Sequence, residues 1–289
     1  MDKNMTALVS LFARVYHTRN SNIKIYNDIY GDTLLGDDYT NIYNSMRDGI
    51  KYFDKDYNGD NPVEYIVNNY LAPSVLARSI FNEDMFLNEI RLGCRQYLIL
   101  ASGYDTSGYK VNNGIKVFEL DKEGVIKDKI ERIKRSGIDN GNVNYIGVDF
   151  NKDWIYKLFD YGFDMNIKTH VSLLGISYYL DRDVFKNTIK EISDIIPIGS
   201  SILFDYPNVD VTDKEIVNRD LARKAKCDMR SVYSRDDIVD ICNISNTDIY
   251  VYMNYDDINN RYFYNYNTIN VNNRIMAPRG VSYVMLVKR

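Results

Sequence analysis

The chain contains 289 residues, of which 40 are acidic and 36 are basic, so it carries a net charge of −4 at neutral pH. This balance argues against a broad nucleic-acid-binding surface, which needs many lysines and arginines to neutralise phosphates. No apolar run reaches the ~18 residues that a membrane-spanning helix requires. We therefore expect a small-molecule or protein substrate, and neither nucleic acid nor a membrane as partner.

The amino terminus and the cysteines predict the compartment. The first six residues alternate in charge and lead into an apolar helix pattern without a cleavage site, which is not typical of a signal peptide. The three cysteines, Cys94, Cys227 and Cys242, are odd in number and lack metal-ligand spacing. This pattern favours buried free thiols in a reducing compartment over a disulfide framework or a metal site. The sequence thus predicts a cytoplasmic protein.

Residues 1–90 carry a helical pattern. Apolar residues recur at helical spacing from Leu8 to Val15 and again from Val63 to Tyr70. We interpret this region as a helical cap that belongs to the same domain as residues 91–289.

From Tyr97 onward, short apolar runs alternate with helical stretches, which is typical of βαβ units and a parallel sheet. Strands are predicted at 97–101, 116–120, 143–148, 170–175, 200–205, 248–253 and 282–287. Helices are predicted near 122–136, 152–161, 182–196 and 234–243, the last with Ser234 as N-cap and Asp237 three residues on. The polar segment 254–281 suits a terminal antiparallel hairpin with a long loop. The fold class is α/β, a doubly wound, Rossmann-like sheet.

Ligands of such sheets bind beyond the carboxyl ends of the strands. Gly103 follows the first strand in a turn of small residues, where a side chain would clash or φ must be positive. Asp121 follows the second strand about 18 positions later, where a carboxylate accepts hydrogen bonds from a ribose. After the third strand, Asp149 and Phe150 are candidates for adenine recognition, although Asp149 is equally suited to cap helix 152–161. Because no phosphate-binding glycine motif is present, the pattern indicates a nucleoside without phosphates.

Four segments, taken together, resemble a known family. They are 100–111 (LASGYDTSGYKV), similar to LGAGxDTRxYRL; 117–121 (VFELD), similar to YFEVD; 147–150 (GVDF), similar to GVDL; and 175–180 (GISYYL), similar to the tail of EGLLxYL. Residues 13–36, upstream, resemble the AxxRAxET…DPxAxxLLG opening of the bacterial members. The family is that of the leucine carboxyl methyltransferases, which includes bacterial members associated with polyketide biosynthesis.

The resemblance implies a class I methyltransferase fold of seven strands, the last antiparallel, with an N-terminal helical cap over S-adenosylmethionine. It implies an O-methyltransferase that acts on a carboxylate or hydroxyl of a small molecule. The implied cofactor-binding residues are Arg78 for the methionine carboxylate, Ala101, Ser102, Gly103 and Asp105 for the methionine, Asp121 for the ribose, Asp149 and Phe150 for the adenine, and Leu174 and Gly175 beside the methionine and its sulfonium.

Four positions depart from the family pattern: Ala101 replaces a glycine, Ser107 and Lys110 replace arginines, and Leu174 replaces a glutamate. Ala101 is compatible with the turn if its φ is negative. The changes at Ser107 and Leu174 are consistent with loss of a charge pair. The departures leave open a second reading, a non-catalytic or regulatory member that binds cofactor weakly or not at all.

Two further residues are candidates near the methyl acceptor. His17, in the cap, is a candidate substrate residue, whereas His170 begins a buried strand and is predicted to be structural. Tyr178 either lines the acceptor pocket or packs in the core. A carboxylate acceptor is already ionised and needs no base, whereas a hydroxyl benefits from one.

Overall fold

The computed structural model describes residues 4–111, 114–208 and 229–289. Cys94 and Cys242 are buried free thiols, as predicted. Cys227 lies outside the described residues. No helix in the described ranges is both long enough and apolar enough to cross a bilayer.

The amino-terminal region is a layer of helices. They are α1 Met5–Asn20, α2 Gly31–Leu35, α3 Asp38–Asp48, α4 Ile50–Phe53, α5 Pro62–Ile66 and α6 Ala72–Arg91, with a π-helical turn Val67–Leu71 before α6. Helix α1 begins where the Asn4 side chain accepts a hydrogen bond from the Ala7 N–H at 3.1 Å. The apolar stripe predicted on α1, from Leu8 to Val15, is fully buried.

The described residues that follow α6 include the seven strands of one sheet. The strands are β1 Gln96–Leu100, β2 Lys116–Asp121, β3 Val143–Gly147, β4 Thr169–Leu173, β5 Ser201–Pro207, β6 Thr247–Met253 and β7 Val281–Lys288. Their order is β3-β2-β1-β4-β5-β7-β6. The first five strands pair in parallel, and β7 runs antiparallel to both of its neighbours. This topology confirms the predicted fold class.

Burial explains why the parallel strands were readable as continuous apolar runs. Every residue of β1 is buried. Leu98 and Leu100 pack into an apolar core on one face of the sheet, whereas Tyr97 and Ile99 pack against Phe86 of α6 on the other. Both faces are therefore covered, as parallel sheets require.

Three of the four predicted connecting helices are present. They are α7 Glu123–Ser136, α9 Arg182–Ile195 and α10 Arg235–Ser245, whereas α8 spans only Lys157–Asp160. Ser234 and Asp237 form the reciprocal capping box expected at the start of α10. The helix predicted over 152–161 is wrong for most of its length. Asp149 instead accepts a hydrogen bond from Asn151 N at 3.1 Å in a local turn, and this turn competes with helix formation.

The segment between β6 and β7 is an insertion in an antiparallel hairpin, as predicted. It contains α11 Tyr255–Ile258, a π-helical turn Asn259–Phe263 and α12 Tyr264–Ile269. The hairpin register shifts between Ile249 and Val251.

Strand order reverses between β1 and β4, which are neighbours in the sheet although β2 and β3 lie between them in the chain. In doubly wound sheets, ligands bind outside the carboxyl ends of the strands at such a reversal. The predicted site residues after β1, β2 and β4 therefore meet at one edge of the sheet.

Candidate active site

The turn after β1 has an unusual backbone conformation. Gly103 has φ of +48°, and a Cβ added there would lie 3.0 Å from the Cβ of Ala7. Both reasons predicted for a glycine at this position are therefore present. Ala101 has φ of +49°. The negative φ that would make alanine unstrained at this position is therefore not found. The reason is that the turn bends sharply to return Ser102 N to the carbonyl of Leu120 at 3.0 Å.

Asp121 joins this turn to the end of β2. Its Oδ2 accepts from Gly103 N at 2.7 Å, and its Oδ1 accepts from Lys122 N at 2.6 Å. Burial raises the pKa of Asp121, while the two backbone donors act in the opposite direction. Each carboxylate oxygen retains a lone pair for a further donor, so the arrangement fits a ligand with a ribose diol.

Asp105 lies beneath the turn. Its Oδ1 accepts from Ser107 N at 2.6 Å and from Ser107 Oγ at 2.5 Å. Burial alone would raise its pKa, but the positive charges of Arg14 and Lys129 hold the pKa below its usual value. Its contacts show a carboxylate that shapes the turn from below.

The cap is bonded to the same turn. Arg14 of α1 donates through Nη2 to the Tyr104 carbonyl at 2.8 Å and through Nε to Asp28 Oδ2 at 2.7 Å. Thr106 Oγ1 donates to the other oxygen of Asp28 at 2.6 Å. Side chains of the cap thus fix both sides of residue 105.

Lys129 supports the turn from α7. Its Nζ donates to the Asp105 carbonyl at 2.7 Å and forms a fully buried ion pair with Glu119 of β2. Burial raises the pKa of Glu119 to about 7, while Lys129 lowers it.

After β3, Asp149 and Phe150 occupy the turn that replaces the predicted helix. Asp149 is half-exposed, and its Oδ1 accepts from both the backbone and side-chain nitrogens of Asn151 at 3.1 Å. These bonds lower the pKa of Asp149. Phe150 packs edge-on against buried Trp154, with ring centroids 5.2 Å apart. Asp149 is not the N-cap of α8, which begins at Lys157.

The turn after β4 meets the cap at Arg78. Gly175 has φ of +69°, and a Cβ added there would lie 2.6 Å from Arg78 Nη1. Arg78 Nη1 lies 3.4 Å from Asp205 Oδ2 of β5, and the Tyr178 hydroxyl donates to the same oxygen at 3.0 Å. The guanidinium therefore lies across the Gly175 backbone, held from behind by a buried carboxylate.

The other departures have acquired local partners. Ser107 bonds to Asp105, and its Oγ lies 3.1 Å from the Tyr97 hydroxyl. Lys110 forms an ion pair with Glu83 of α6 at 2.5 Å. Leu174 packs, half-buried, against the apolar cluster shared with the cap.

Both histidines are engaged in structural contacts. His17 Nε2 accepts from Ile25 N at 2.9 Å, and burial lowers the pKa of His17 to about 4. None of the hydrogen bonds of His17 reaches the turn at 101–105. His170 bonds to Ser201 Oγ at 2.7 Å, and burial lowers its pKa to about 3. His170 is structural, as predicted.

A cavity of about 370 Å³ lies away from this cleft, between α6 and the β6–β7 insertion. Its lining residues are Ile23, Lys24, Ile25, Ile80, Asp84, Arg261, Tyr262, Asn265 and Tyr266. Its lining includes none of the predicted cofactor residues, and His17 contacts two of the lining residues, Ile25 through a hydrogen bond and Tyr266 with ring centroids 5.7 Å apart.

Sequence reasoning assigned no role to three residues that hold these turns: Arg14, Lys129, which stands near a lysine of the family pattern, and Asp205. For Asp205 a signal existed, because an acidic residue near the carboxyl end of a buried strand is the same feature that identified Asp121. For Arg14 and Lys129 the signal lay only in motif positions, since their partners are far away in the chain.

Comparison with known proteins shows the family and the fold. The family model for leucine carboxyl methyltransferase matches residues 7–193. The Bacillus subtilis (strain 168) protein YktD, described as an inferred S-adenosyl-L-methionine-dependent methyltransferase, is 30% identical over 100% of this chain and 99% of its own length.

Two solved structures share the fold. An inferred methyltransferase from Thermobifida fusca superimposes with a TM-score of 0.55 at 13% identity, covering 83% of this chain and 93% of its own. Magnesium protoporphyrin IX methyltransferase (ChlM) from Synechocystis PCC 6803 with bound SAH superimposes with a TM-score of 0.51 at 9% identity, covering 86% and 99%.

The strand order is that of a class I methyltransferase, and the family model and the full-length relative show that this is an S-adenosyl-L-methionine-dependent methyltransferase. Within that class, the chain belongs to the leucine carboxyl methyltransferase family.

Proposed function

We propose that the protein transfers a methyl group from S-adenosylmethionine to an oxygen atom, carboxylate or hydroxyl, of a small molecule in the cytoplasm. The observation that carries the proposal is the Asp121 carboxylate at the rim of the Gly103 turn. Arg78 lies against Gly175, which follows the neighbouring parallel strand β4, and this placement supports one ligand with a diol and an α-carboxylate.

In this proposal, the side chains divide the ligand between them. Arg78 binds the methionine carboxylate, the turn at residues 101–105 accommodates the methionine chain, and Asp121 accepts from the ribose. Asp149 and the Phe150 backbone N–H recognise the adenine. Leu174 and Gly175 border the position of the sulfonium.

Bound S-adenosylmethionine supplies an activated methyl group that moves by in-line displacement at carbon. The protein contributes alignment and exclusion of water, because such a displacement gains most from orientation. Of the two acceptor types, a carboxylate has the simpler support. His17 and His170 are both held neutral by burial with ring nitrogens engaged, so neither is arranged as a base, and a carboxylate needs none.

His17 and Tyr178 remain proposed acceptor-side residues. Tyr178 is the better placed of the two, because its hydroxyl reaches Asp205 beside Arg78.

Titration calorimetry with S-adenosylmethionine and S-adenosylhomocysteine tests the proposal. We expect the parent protein to bind both. Arg78→Lys should bind both at least about 10-fold more weakly, because an ammonium cannot reproduce a bidentate fork. Binding of 5′-deoxy-5′-methylthioadenosine, which lacks the amino-acid group, should be unchanged.

The outcome also decides between an enzyme and a non-catalytic relative. A parent protein that binds neither ligand would favour the non-catalytic or regulatory reading. Equal losses for all ligands in Arg78→Lys would mean that Arg78 acts through stability of the cap.

A further inference from the structure

Asp205 contacts three groups at the turn after β4 through its carboxylate. It lies within β5, and its side chain is fully buried. Its Oδ1 accepts from Gly175 N at 2.6 Å. Its Oδ2 accepts from the Tyr178 hydroxyl at 3.0 Å and lies 3.4 Å from Arg78 Nη1. The Asp205 carbonyl accepts from Ser177 Oγ at 2.6 Å.

These contacts come from two separate parts of the chain, and Asp205 itself lies in a third. Arg78 belongs to the cap, whereas Gly175 and Tyr178 belong to the turn after β4. One side chain therefore fixes the relative position of a cap helix and a sheet-edge turn. A carboxylate that satisfies a backbone N–H, a phenol and a guanidinium together is well compensated for its burial.

Arg78 depends on this carboxylate more than on any other described group. Its side chain is only 16% exposed, and a guanidinium removed from water is costly unless an opposite charge accompanies it. The Asp205 contact engages one of its five N–H donors. Contact with Gly175 orients the guanidinium plane, so the remaining donors are presented in a fixed direction.

We propose that Asp205 is a positioning residue for recognition of the cofactor's amino-acid group, acting through Arg78 and the Gly175 turn. This inference rests on the proposed function. Asp205 contributes no contact of its own to the ligand. It holds the guanidinium charged and oriented before binding, so that the methionine carboxylate meets a preorganised fork.

A merely structural carboxylate would behave differently. Loss of a structural residue lowers the affinity for every ligand of the cleft, because the whole site becomes less ordered. Loss of a residue that positions Arg78 lowers the affinity only for ligands that carry the carboxylate. The distinction is measurable with two ligands that share the nucleoside.

The experiment measures dissociation constants for S-adenosylhomocysteine and 5′-deoxy-5′-methylthioadenosine with the full chain. Asp205→Asn should weaken S-adenosylhomocysteine about 10- to 100-fold, the range for a charged hydrogen bond. The affinity for methylthioadenosine should change by less than about 2-fold. The matched control is Asp84→Asn. Asp84 also lies on the chain near Arg78, in α6, but its carboxylate pairs with Arg261 of the β6–β7 insertion, so neither affinity should change.

A double-mutant cycle tests whether Asp205 acts through Arg78. In an Arg78→Met background, Asp205→Asn should cause no further loss of S-adenosylhomocysteine affinity. Full additivity of the two losses would overturn the inference, and so would an equal loss for methylthioadenosine. If Asp205→Asn does not fold, Tyr178→Phe removes one donor to the same carboxylate and should show a smaller loss confined to S-adenosylhomocysteine.

The two proposals fail in distinguishable ways. A parent protein that binds neither nucleoside ligand overturns the proposed function and this inference together. A parent protein that binds both, with Asp205→Asn and Tyr178→Phe unchanged, overturns the role of Asp205 alone.

Discussion

Ala7 of the first cap helix lies directly against Gly103 of the turn after β1, so that a Cβ at Gly103 would be 3.0 Å from the Cβ of Ala7. The cap therefore covers the tightest point of the candidate cofactor turn at van der Waals distance. The contact makes the turn sensitive to one methyl group.

Gly103→Ala should lower the free energy of unfolding by about 1–2 kcal/mol, because alanine is strained at positive φ. Chemical denaturation measures the change. Ala7→Gly combined with Gly103→Ala should recover only the part due to the contact. Complete recovery in the double variant would show that backbone strain contributes nothing.

Ala101→Gly should raise the free energy of unfolding by up to about 1 kcal/mol, because it relieves the left-handed strain at φ of +49°. Ala77→Gly, within helix α6, is the matched control and should destabilise by about 1 kcal/mol. A destabilised Ala101→Gly would contradict the strain observed in the turn.

Asp121→Ala should weaken S-adenosylhomocysteine binding by roughly 1–3 kcal/mol through loss of a charged hydrogen-bond acceptor. It should also reduce stability, since Gly103 N and Lys122 N lose their acceptor. Asp149→Ala should weaken binding less, because its carboxylate is partly solvated. Calorimetry on both variants measures the difference, and an unchanged affinity in a folded Asp121→Ala would place the ribose elsewhere.

Leu174→Glu should destabilise the protein by about 2–4 kcal/mol at neutral pH. The new carboxylate would stand next to Gly175, whose N–H already donates to the Asp205 carboxylate. The two negative charges, of Glu at 174 and of Asp205, would repel each other. The loss should shrink at pH 5 as the glutamate protonates, whereas the Leu174→Gln control should show no such dependence. A tolerated Leu174→Glu would indicate a hydrated, loosened cleft.

The two buried histidines should make stability fall in mild acid. Their folded pKa values, about 4 for His17 and about 3 for His170, are below the ~6.5 of an unfolded chain. The unfolded chain therefore takes up protons first, so their contribution is complete above about pH 6.5 and is lost as the pH falls toward the folded values.

His17→Gln isolates one of these contributions. Between pH 7.5 and pH 5 the variant should lose about 1–2 kcal/mol less than the parent in urea unfolding. Glu119, with a pKa raised to about 7, acts in the opposite direction but is common to both proteins. Parallel pH curves for the two proteins would show that His17 is not held neutral.

Much of the fold was predictable because burial on both faces leaves a plain mark on parallel strands. The other two strands, β6 and β7, and the capping box at Ser234 were also predicted from local patterns in the sequence. The helix prediction for residues 152–161 was wrong because Trp154 is buried and Asp149 closes a turn at Asn151. Tertiary packing and the aspartate turn outweigh the helical spacing of the apolar residues.

Residues of the candidate site could be predicted only where they stand at the carboxyl end of a recognisable strand, as Gly103 and Asp121 do. The sign of φ at Ala101 is set by the bond between Ser102 and Leu120, which no local pattern contains. The pairing of Arg78 with Asp205 spans 127 positions, so neither sequence neighbourhood reveals it.

Arg14 donates to the Tyr104 carbonyl and Thr106 donates to Asp28, so hydrogen bonds connect the cap directly to the candidate cofactor turn. If a ligand binds only when the turn is ordered, its binding also stabilises the cap. The coupling free energy is the same in both directions, so a more stable cap binds the ligand more tightly by that amount. Substitutions deep in the cap should therefore change the affinity for the cofactor, although the substituted residues do not contact it. In this chain, hydrogen exchange at the amides of helix α1 becomes a reporter of cofactor occupancy.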